Sequence, residues 1–553
     1  MSERLDRTAL YFLPLGGVNE IGMNLNLYGY GDRWLMVDLG TSFADEGMPG
    51  VDLVAPDVSW IAGRRERLLG IVLTHAHEDH LGAISHLWDE LQCPVWATGF
   101  AASVLRRKLA EKGMVDDVPL HVYQPGDLIE LGPFRIRSMN ITHSTPESQA
   151  LAIETPAGTV LHTGDWKLDP RPMLGPQTEI EALRAWGDRG VLALVCDSTN
   201  VFSRGTSGSE GEVHDSLIPL LRDKPGRIAV TTFSSNLARL ETLFAVASEL
   251  GRHICLIGRS LHRFLAAAQE NGYLKHIPNL VDEREAGFLP RDKILYICTG
   301  CQGEPRGAMA RIAFGSHPHV VVSPGDTVVF SSKIIPGNER TLFRLHNELV
   351  SRGIEVITEK DAFVHVSGHP SRDELAEMYA LARPQIAVPV HGEPRHLVEH
   401  ARFAQSLQVP HGIVPRNGDL IRLGPGAPEV VEQVPSGRLA IDGDELIPIQ
   451  GGTLQVRRKL AFNGAVSVSL AVDSDGRLQA PPQVRMAGVV NFDPDEVDAE
   501  IAEDIADAID RLRPGPQRDD AALEQAAQRA VRSYLRGLNG RKPVIQVHVI
   551  RLP

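Results

Sequence analysis

The stretch Thr74-His75-Ala76-His77-Glu78-Asp79-His80 decides the fold of this chain. It follows an apolar run over 68–73 that is typical of a buried strand. Its first two histidines are two residues apart, so an extended backbone points both imidazoles in one direction, and Asp79 and His80 can face a second ion. Zinc favours imidazole nitrogen and carboxylate oxygen, and a catalytic zinc site keeps one position open for water. The motif predicts a two-metal hydrolase; a polar turn without metal is the alternative.

Two later stretches supply what such a site still lacks. His143 lies in Asn140-Ile141-Thr142-His143-Ser144, after a predicted strand over 134–139, and Asp165 ends Leu161-His162-Thr163-Gly164-Asp165. One adds an imidazole and the other a carboxylate that can bridge two ions. This order and spacing resemble the metallo-β-lactamase fold, in which the ligands lie on loops at one edge of a β-sandwich.

Length and composition set the limits for the whole chain. The chain of 553 residues is too long to fold around a single hydrophobic core, and its length predicts about three to four domains. Hydrophobic residues make up 43% of the chain and are available for burial. No apolar run approaches about 18 residues and the first ten residues lack signal-peptide features, so we expect a soluble cytoplasmic protein without membrane contact. The five cysteines disfavour a disulfide framework. Cys298-Thr299-Gly300-Cys301 follows a predicted strand rather than opening a helix, which disfavours a redox role.

The net charge of −14 is unusual for a protein that binds nucleic acid, because phosphate groups favour a basic surface. The charge is unevenly distributed, however. Acidic residues concentrate in 493–510, whereas 457–459 and 541–542 are basic. A local basic groove therefore stays compatible with the composition.

Several strand ends place polar residues near the metal motif. The Gly-rich stretch 12–24 lies between predicted strands, which favours a hairpin over a phosphate-binding loop. Asp38 ends the strand 34–37 and is expected to orient a ligand without binding metal, or to be a turn aspartate. Asp197 ends the apolar strand 191–196 and is a candidate site residue. A helix is predicted over 82–91.

Alternating strands and helices from 227 to 357 predict an α/β domain inserted into the sandwich. The chain then returns through Val364-His365-Val366-Ser367-Gly368-His369 and Gln385–Glu393, both predicted to be strand ends that carry histidines.

This organisation resembles the β-CASP group of metallo-β-lactamase-fold nucleases, and within it the ribonuclease J family. Three motifs carry the closer resemblance: Ile297-Cys298-Thr299-Gly300-Cys301-Gln302-Gly303-Glu304-Pro305, Ile334-Ile335-Pro336-Gly337-Asn338-Glu339 and His365–His369. Cys301, where serine is expected, and Pro370, where a small residue is expected, depart from the pattern and put fine substrate preference in doubt.

The resemblance implies a set of ligands for two Zn²⁺ ions, with Mn²⁺ or Mg²⁺ left open as an activating ion. The ligands of the first zinc are His75, His77 and His143. The ligands of the second are Asp79, His80 and His391. Asp165 bridges the two.

The resemblance also implies catalytic and substrate-binding residues. Asp79 and Asp165 would orient the attacking water, Asp197 would support the metal and histidine shell, and His369 would protonate the leaving oxygen. The residues implied in phosphate binding are Ser235, Asn236, His365, Val366, Ser367, Gly368 and His369. Ser235 and Asn236 are alternatively helix caps, and His365 and His369 are alternatively structural histidines. The remaining histidines considered are assigned to surface or core: His86, His162, His214, His253 and His396.

The expected fold class is mixed α/β and α+β: an αββα sandwich interrupted by an α/β β-CASP domain, followed by a small α/β domain. The last domain is expected to contain strands over 454–472, a helix capped by Asp493 with Val497, Ile501, Ile505 and Ile509 on one face, a second helix over 521–538 and a strand over 544–550. The predicted boundaries are 1–205 and 356–430 for the sandwich, 206–355 for the insert, 431–453 for a linker and 454–553 for the C-terminal domain.

The predicted function is a zinc-dependent ribonuclease. The resemblance implies 5′ to 3′ exonuclease activity on 5′-monophosphorylated single-stranded RNA, endonuclease activity, roles in rRNA maturation and mRNA decay, a homodimer or tetramer, and partners in an RNA-degradation complex. The alternatives are a hydrolase of a small ester or thioester and a non-catalytic RNA-binding scaffold.

Overall fold

The computed structural model describes residues 5–45, 47–277, 280–335, 337–489, 494–513 and 518–553. The chain forms two compact units, one of residues 1–42 and 55–437 and the other of residues 43–54 and 438–553. Among the described residues, no helix is long and apolar enough to cross a membrane.

The described residues up to 205 form thirteen strands and five α-helices. The strands are β1 (Leu10–Gly16), β2 (Leu25–Tyr30), β3 (Arg33–Val37), β4 (Ser42–Phe43), β5 (Leu53–Pro56), β6 (Leu68–Val72), β7 (Val95–Ala97), β8 (Leu120–Val122), β9 (Leu128–Leu131), β10 (Phe134–Asn140), β11 (Gln149–Thr155), β12 (Gly158–His162) and β13 (Ala193–Asp197). The helices are α1 (Ser59–Ala62), α2 (Glu78–Leu81), α3 (Ile84–Leu91), α4 (Gly99–Lys112) and α5 (Ile180–Arg189).

The following 150 residues alternate between helices and strands, as predicted. In chain order they form α6 (Glu210–Arg222), β14 (Ile228–Thr231), α7 (Leu237–Glu249), β15 (His253–Ile257), α8 (Arg259–Glu270), β16 (Ile294–Cys298), α9 (Ala308–Ala313), β17 (Thr327–Phe330), α10 (Glu339–Ser351) and β18 (Glu355–Ile357). The strands pair in parallel in the order β15-β16-β14-β17-β18, which confirms the inserted α/β domain.

The chain then completes the sandwich and forms the elements of the second unit. These are α11 (Arg372–Ala382), β19 (Ile386–Val390), α12 (Pro394–Ser406), β20 (His411–Gly412), β21 (Asp419–Gly424), β22 (Glu429–Gln433), β23 (Arg438–Asp442), β24 (Glu445–Pro448), α13 (Gly452–Asn463), β25 (Ala465–Val472), β26 (Gln483–Ala487), α14 (Pro494–Asp510), α15 (Asp520–Leu538) and β27 (Val544–Arg551).

Two large sheets form the sandwich. One has the order β22-β21-β1-β2-β3-β6-β7-β8 and the other β20-β19-β13-β12-β11-β10-β9. The core between them is built from side chains of both sheets, such as Phe12, Val72, Ile153 and Val195, all fully buried. Residues of α5 and α11 pack with the seven-stranded sheet in a second core, and α4 packs against β7 and β8. The αββα expectation is therefore confirmed.

The strand directions explain where the predicted site lies. β12, β13 and β19 run parallel to one another, so their carboxyl ends meet at one edge of the seven-stranded sheet. β3 and β6 are likewise parallel in the eight-stranded sheet. Residues that follow β12, β13 and β19 therefore lie close together at one edge of the seven-stranded sheet. Residues that follow β3 and β6 likewise lie close together at one edge of the eight-stranded sheet.

The second unit contains a three-stranded sheet in the order β26-β25-β27 with α14 and α15 packed on it. The predicted stripe on α14 is buried, with Val497 6% exposed and Ile501, Ile505 and Ile509 fully buried. The predicted cap Asp493 lies outside the described residues. β23 and β24 lie within the interval predicted to be a linker.

Two secondary-structure predictions are wrong. Residues 454–463 belong to helix α13, not to a strand. The prediction failed because the helix buries only Leu454, so its alternation of apolar residues does not mark a side that faces a core. Residues 364–369 form no strand. Their carbonyls accept hydrogen bonds from side chains instead of a neighbouring strand: Arg239 Nη1 donates to Val364 O (3.0 Å) and Asn200 Nδ2 to His369 O (3.1 Å).

Candidate metal centre

The motif after β6 and the residues after three parallel strands converge at one end of the sandwich. Asp165 follows β12, Asp197 ends β13 and His391 follows β19, while His143 follows β10. The structure places the seven predicted metal ligands in two groups that share one carboxylate. In each group the potential ligand atoms lie within 4.8 Å of one another: His75, His77, His143 and Asp165 in the first, and Asp79, His80, Asp165 and His391 in the second.

The first group is a convergence of imidazole nitrogens. His77 Nδ1 lies 3.1 Å from His75 Nε2 and 3.1 Å from His143 Nε2. His75 Nε2 is 4.0 Å from Asp165 Oδ2. A cation between these atoms would satisfy all three nitrogen lone pairs at once.

The second group combines imidazoles with carboxylates. His80 Nε2 lies 3.2 Å from Asp165 Oδ2 and 3.6 Å from Asp79 Oδ2. His391 Nε2 lies 3.2 Å from the same Asp79 oxygen. Asp165 contributes to both groups, which is the position that a bridging ligand requires.

Hydrogen bonds on the opposite ring nitrogens orient these imidazoles. His80 Nδ1 donates to Asp38 Oδ2 (2.7 Å) and His143 Nδ1 to Gly368 O (2.6 Å). His391 Nδ1 donates to Thr199 Oγ1 (2.9 Å), since that hydroxyl itself donates to Asp197 Oδ1 (2.7 Å). Each bond fixes the proton on Nδ1 and leaves Nε2 free to bind a metal, as in known metal sites. The expectation that Asp38 orients a ligand-forming side chain agrees with this contact.

Electrostatics also fit divalent cations. Burial lowers the pKa of His75 and His143 well below the ordinary value and that of His77 to about 4, so all three are neutral donors. Burial raises the pKa of Asp165, but His391, His80 and His369 lower it more, so it is a carboxylate. Imidazole and carboxylate at these distances form a donor set that zinc accepts.

The backbone at the centre is held in unusual conformations. Asp38 has φ 63° and His391 has φ 53°, both in the left-handed region that residues other than glycine rarely adopt. At Gly40 a Cβ would lie 1.7 Å from the carbonyl oxygen of Asp79, so only glycine permits this approach. The backbone that follows β3 is therefore in close contact with the metal motif at Asp79.

His369 and Asp197 form a pair beside the second group. His369 Nδ1 donates to Asp197 Oδ2 (2.7 Å), and its ring stacks on that of His391 with centroids 5.3 Å apart. Burial lowers the pKa of His369, but Asp197 and Asp165 raise it above the ordinary value. Its side chain is 22% exposed, so the ring is accessible to a bound molecule.

The predicted phosphate-binding residues meet next to this pair. Ser367 Oγ accepts hydrogen bonds from Asn200 Nδ2 (2.7 Å) and His369 N (3.1 Å). Val366 is buried, and His365 Nδ1 is buried without a hydrogen-bond partner among the described residues. A Cβ at Gly368 would lie 2.7 Å from the ring of His143.

Ser235 and Asn236 lie at the start of α7, close to the same site. Asn236 Oδ1 accepts a hydrogen bond from Arg239 N (2.9 Å). The side-chain oxygen of Asn236 therefore caps the helix, which was the alternative given for this residue. Ala238 N lies 3.5 Å from Ser144 O, one residue after His143. The helix start is therefore brought to the metal motif, and a role in phosphate binding stays a prediction.

Sequence reasoning missed three polar residues of the site. Asn24 Nδ2 donates to Asp79 O (3.1 Å) and lies 3.0 Å from His80 Nε2. Thr199 and Asn200 hold His391 and Ser367 as described above. Thr199 and Asn200 lie in the polar stretch that follows β13, from which the sequence analysis selected only Asp197. Asn24 is the last residue of the Gly-rich stretch 12–24. These positions next to strand ends are the sequence signals that could have identified the three residues.

Family models match successive parts of the chain. The metallo-β-lactamase superfamily matches residues 24–229, the ribonuclease J β-CASP domain 225–349, the Zn-dependent metallo-hydrolase RNA specificity domain 353–412 and the ribonuclease J C-terminal domain 452–552.

Relatives match over nearly the whole chain. Ribonuclease J of Sinorhizobium meliloti is 44% identical over 550 residues, 98% of this chain and 97% of the relative. Ribonuclease J of Synechocystis is 38% identical over 89% of this chain and 77% of the relative. A crystal structure of a protein of unknown function from Enterococcus faecalis covers 75% of this chain and 100% of its own, with a TM-score of 0.52 and 16% identity, which shows the fold alone.

Fold, insert and ligand groups together define a metallo-β-lactamase-fold hydrolase with a β-CASP domain. More specifically, the chain belongs to the ribonuclease J family. Membership places it among metal-dependent ribonucleases, which hydrolyse phosphodiester bonds.

Proposed function

We propose that this chain degrades single-stranded RNA from the 5′ end, prefers a 5′-monophosphate and also cuts accessible internal sites. The observation that carries the proposal is the pair of ligand groups sharing Asp165, with His369 and Asp197 in contact with the second group. We assign two Zn²⁺ ions to the groups, with Mn²⁺ or Mg²⁺ as a further activating ion. The physiological roles we propose are rRNA maturation and mRNA decay in the cytoplasm, as a homodimer or tetramer with partners in RNA degradation.

The donor set defines what each part of the centre contributes. The two ligand groups would hold divalent cations, which would supply activation of water for in-line attack on phosphorus and neutralisation of the phosphate oxygens. Asp79 and Asp165 accept hydrogen bonds from the attacking water and orient it. The doubly protonated ring of His369 would donate its Nε2 proton to the departing 3′-oxygen, and Asp197, which accepts from Nδ1, stabilises that cation before the transfer.

The segment 365–368 supports recognition of the 5′ end. Ser367 is fixed by Asn200, and the backbone at Gly368 passes the ring of His143 where a side chain would collide with it. The start of α7, with Ser235 and Asn236, lies close to Ser144 beside the metal motif, and a helix start favours an anion. A terminal phosphate bound here would place the first phosphodiester bond at the metal centre and repeat the placement after each cut.

The test is digestion of one single-stranded RNA carrying either a 5′-monophosphate or a 5′-triphosphate, with zinc content measured in the same preparations. We expect mononucleotides from the monophosphate substrate and about two zinc ions per chain. His77→Ala should lose both zinc and activity, while His214→Ala, on α6 outside the ligand groups, should keep both.

Three results would overturn the proposal in different parts. Failure of zinc-loaded protein to cut RNA contradicts the nuclease and favours a small-molecule hydrolase or a scaffold. Equal rates on both 5′ ends contradict the end-recognition pocket alone. Full activity of His77→Ala contradicts the assignment of the first ligand group.

A further inference from the structure

In the second unit, the basic pair Arg541-Lys542 lies against the end of helix α13, the helix that also carries the basic stretch 457–459. Arg541 Nη1 donates to Phe462 O (3.3 Å), and Lys542 N lies 3.5 Å from Asn463 Oδ1. Val544 N donates to Gly464 O (3.0 Å), which fixes the start of β27 beside the end of α13. The residues 541–542 are thereby held against the last turn of α13.

Phe462 lies in this last turn of α13, and its ring is exposed to solvent. Its residue is 78% exposed, although it is large and apolar. Lys459 lies one turn before it, and residues three apart on a helix are neighbours on its surface. Helix α13 buries only Leu454, so this face of the helix has no core to pack against.

The surrounding cations are not neutralised within the described part of the chain. Lys459, Arg541 and Lys542 are exposed and form no ion pair with a described acidic residue. Arg457 differs, since both of its terminal nitrogens contact Asp442, at 2.9 and 2.5 Å. An exposed aromatic ring among three unpaired cations is unusual on a chain with a net charge of −14.

We propose that Lys459, Phe462, Arg541 and Lys542, here called the α13 surface, bind single-stranded RNA. Cations can contact successive phosphates, and a base can stack on the exposed ring irrespective of its identity. The α13 surface belongs to the second unit and the candidate metal centre to the first, so the two share no residue. The inference rests on the proposed ribonuclease function for its ligand but uses none of the metal-centre residues.

The experiment measures binding of a 30-nucleotide single-stranded RNA to the full-length chain carrying His77→Ala, so that the RNA is not consumed. Phe462→Ala should weaken binding about 5- to 150-fold, the loss of one stacked base, while Phe462→Tyr keeps the ring and should retain affinity. Lys459→Glu with Lys542→Glu should reduce the slope of log Kd against log salt by about 1.4, as expected for two phosphate contacts.

Matched controls come from the inserted domain. Phe288 is 89% exposed, and the nearby exposed Lys293 lies 3.8 Å from Asp292, so Phe288→Ala repeats the loss of the ring and Lys293→Glu repeats one of the two charge reversals elsewhere. Both should bind like the parent.

The outcomes separate the inference from the function on which it rests. If RNA is cleaved but the α13-surface variants bind like the controls, the inference is overturned and the ribonuclease stands. If the variants change the mass in sedimentation without changing RNA affinity, the surface is a protein interface and the inference is again overturned. If the chain with intact His77 cleaves no RNA, the proposed function itself has failed.

Discussion

Asp38 shows how a residue that binds no metal can decide the geometry of the candidate centre. Its Oδ2 accepts from His80 Nδ1 and from Thr74 Oγ1 (2.8 Å), and its Oδ1 accepts from Thr74 N (2.8 Å). One carboxylate thus fixes both the imidazole of His80 and the backbone that begins the metal motif. We expect Asp38→Asn to weaken zinc binding about 10- to 100-fold, because the amide cannot replace both carboxylate acceptors.

The Asp38→Asn prediction is measured by competition with a chelator of known affinity. The matched control is Asp188→Asn, whose carboxylate is exposed and pairs with Arg383. It removes the same charge without contacting the centre. An unchanged zinc affinity in Asp38→Asn would show that the loop geometry alone orients His80.

His369 allows the chemical step to be separated from metal binding. We expect His369→Ala to lower the cleavage rate about 10²- to 10⁴-fold because the leaving oxygen loses its proton donor. Zinc content should stay at the parental value, since the seven assigned ligands remain. Single-turnover kinetics and metal analysis of the same sample provide the test; loss of zinc together with activity would instead make His369 a ligand.

At the scale of elements, a buried ion pair joins α6 to α7. Arg239, fully buried, donates from Nη2 and Nε to Glu210 at 2.9 and 3.0 Å, and from Nη1 to Val364 O. Arg239→Ala should destabilise the first unit by about 3–5 kcal/mol, because the Glu210 carboxylate is left buried without its partner. The double replacement Arg239→Met with Glu210→Met should cost less, since it buries no charge.

Tryptophan fluorescence during urea unfolding measures this effect, because all six tryptophans lie in the first unit. Arg222→Ala serves as control, since it breaks the pair with Glu249, in which both side chains are about half exposed. Equal destabilisation by the single and double replacements would mean that the lost hydrogen bond to Val364, rather than the unpaired charge, dominates.

Elements with a strong periodic signal were predictable, and elements defined by their partners were not. β6 and β13 are almost entirely apolar because each lies between two neighbouring strands, and polar residues begin at Thr74 and Asp197. Both the strand and the candidate site residues at its end are therefore visible in sequence. Helix α13 has no buried face, so the order of apolar and polar residues along it does not show the 3.6-residue repeat that indicates a helix. The segment 364–369 is held by Arg239 and Asn200, which are distant in sequence, so no local signal could reveal its shape.

The same distinction applies to the site residues. His75 to His80 are close in sequence, so their grouping was visible directly. Asn24 and Asn200 reach the centre only through strand pairing and loop packing, and an asparagine after a strand is also common in ordinary turns. Long-range packing therefore selects them in a way that composition and spacing do not.

At the scale of the whole molecule, charge must be considered by region rather than as a sum. The chain carries 70 acidic and 56 basic residues, and three carboxylates lie at the candidate centre: the buried Asp165 and Asp197 and the partly buried Asp79. Divalent cations there would offset much of that local negative charge and reduce the repulsion of an RNA backbone. The negative total charge is therefore compatible with an enzyme that binds RNA at a metal centre.

Metal removal should destabilise the first unit and leave the second unchanged, because all seven assigned ligands belong to the first unit. A ligand that binds only the folded state at about 1,000 times its Kd stabilises it by about 4 kcal/mol. We therefore expect a chelator to lower the midpoint of thermal unfolding seen by tryptophan fluorescence, and added zinc to restore it. In His77→Ala the first ligand group is incomplete, so the shift should be smaller. A chelator shift of equal size in His77→Ala and the parent would locate the stabilising metal outside the first group.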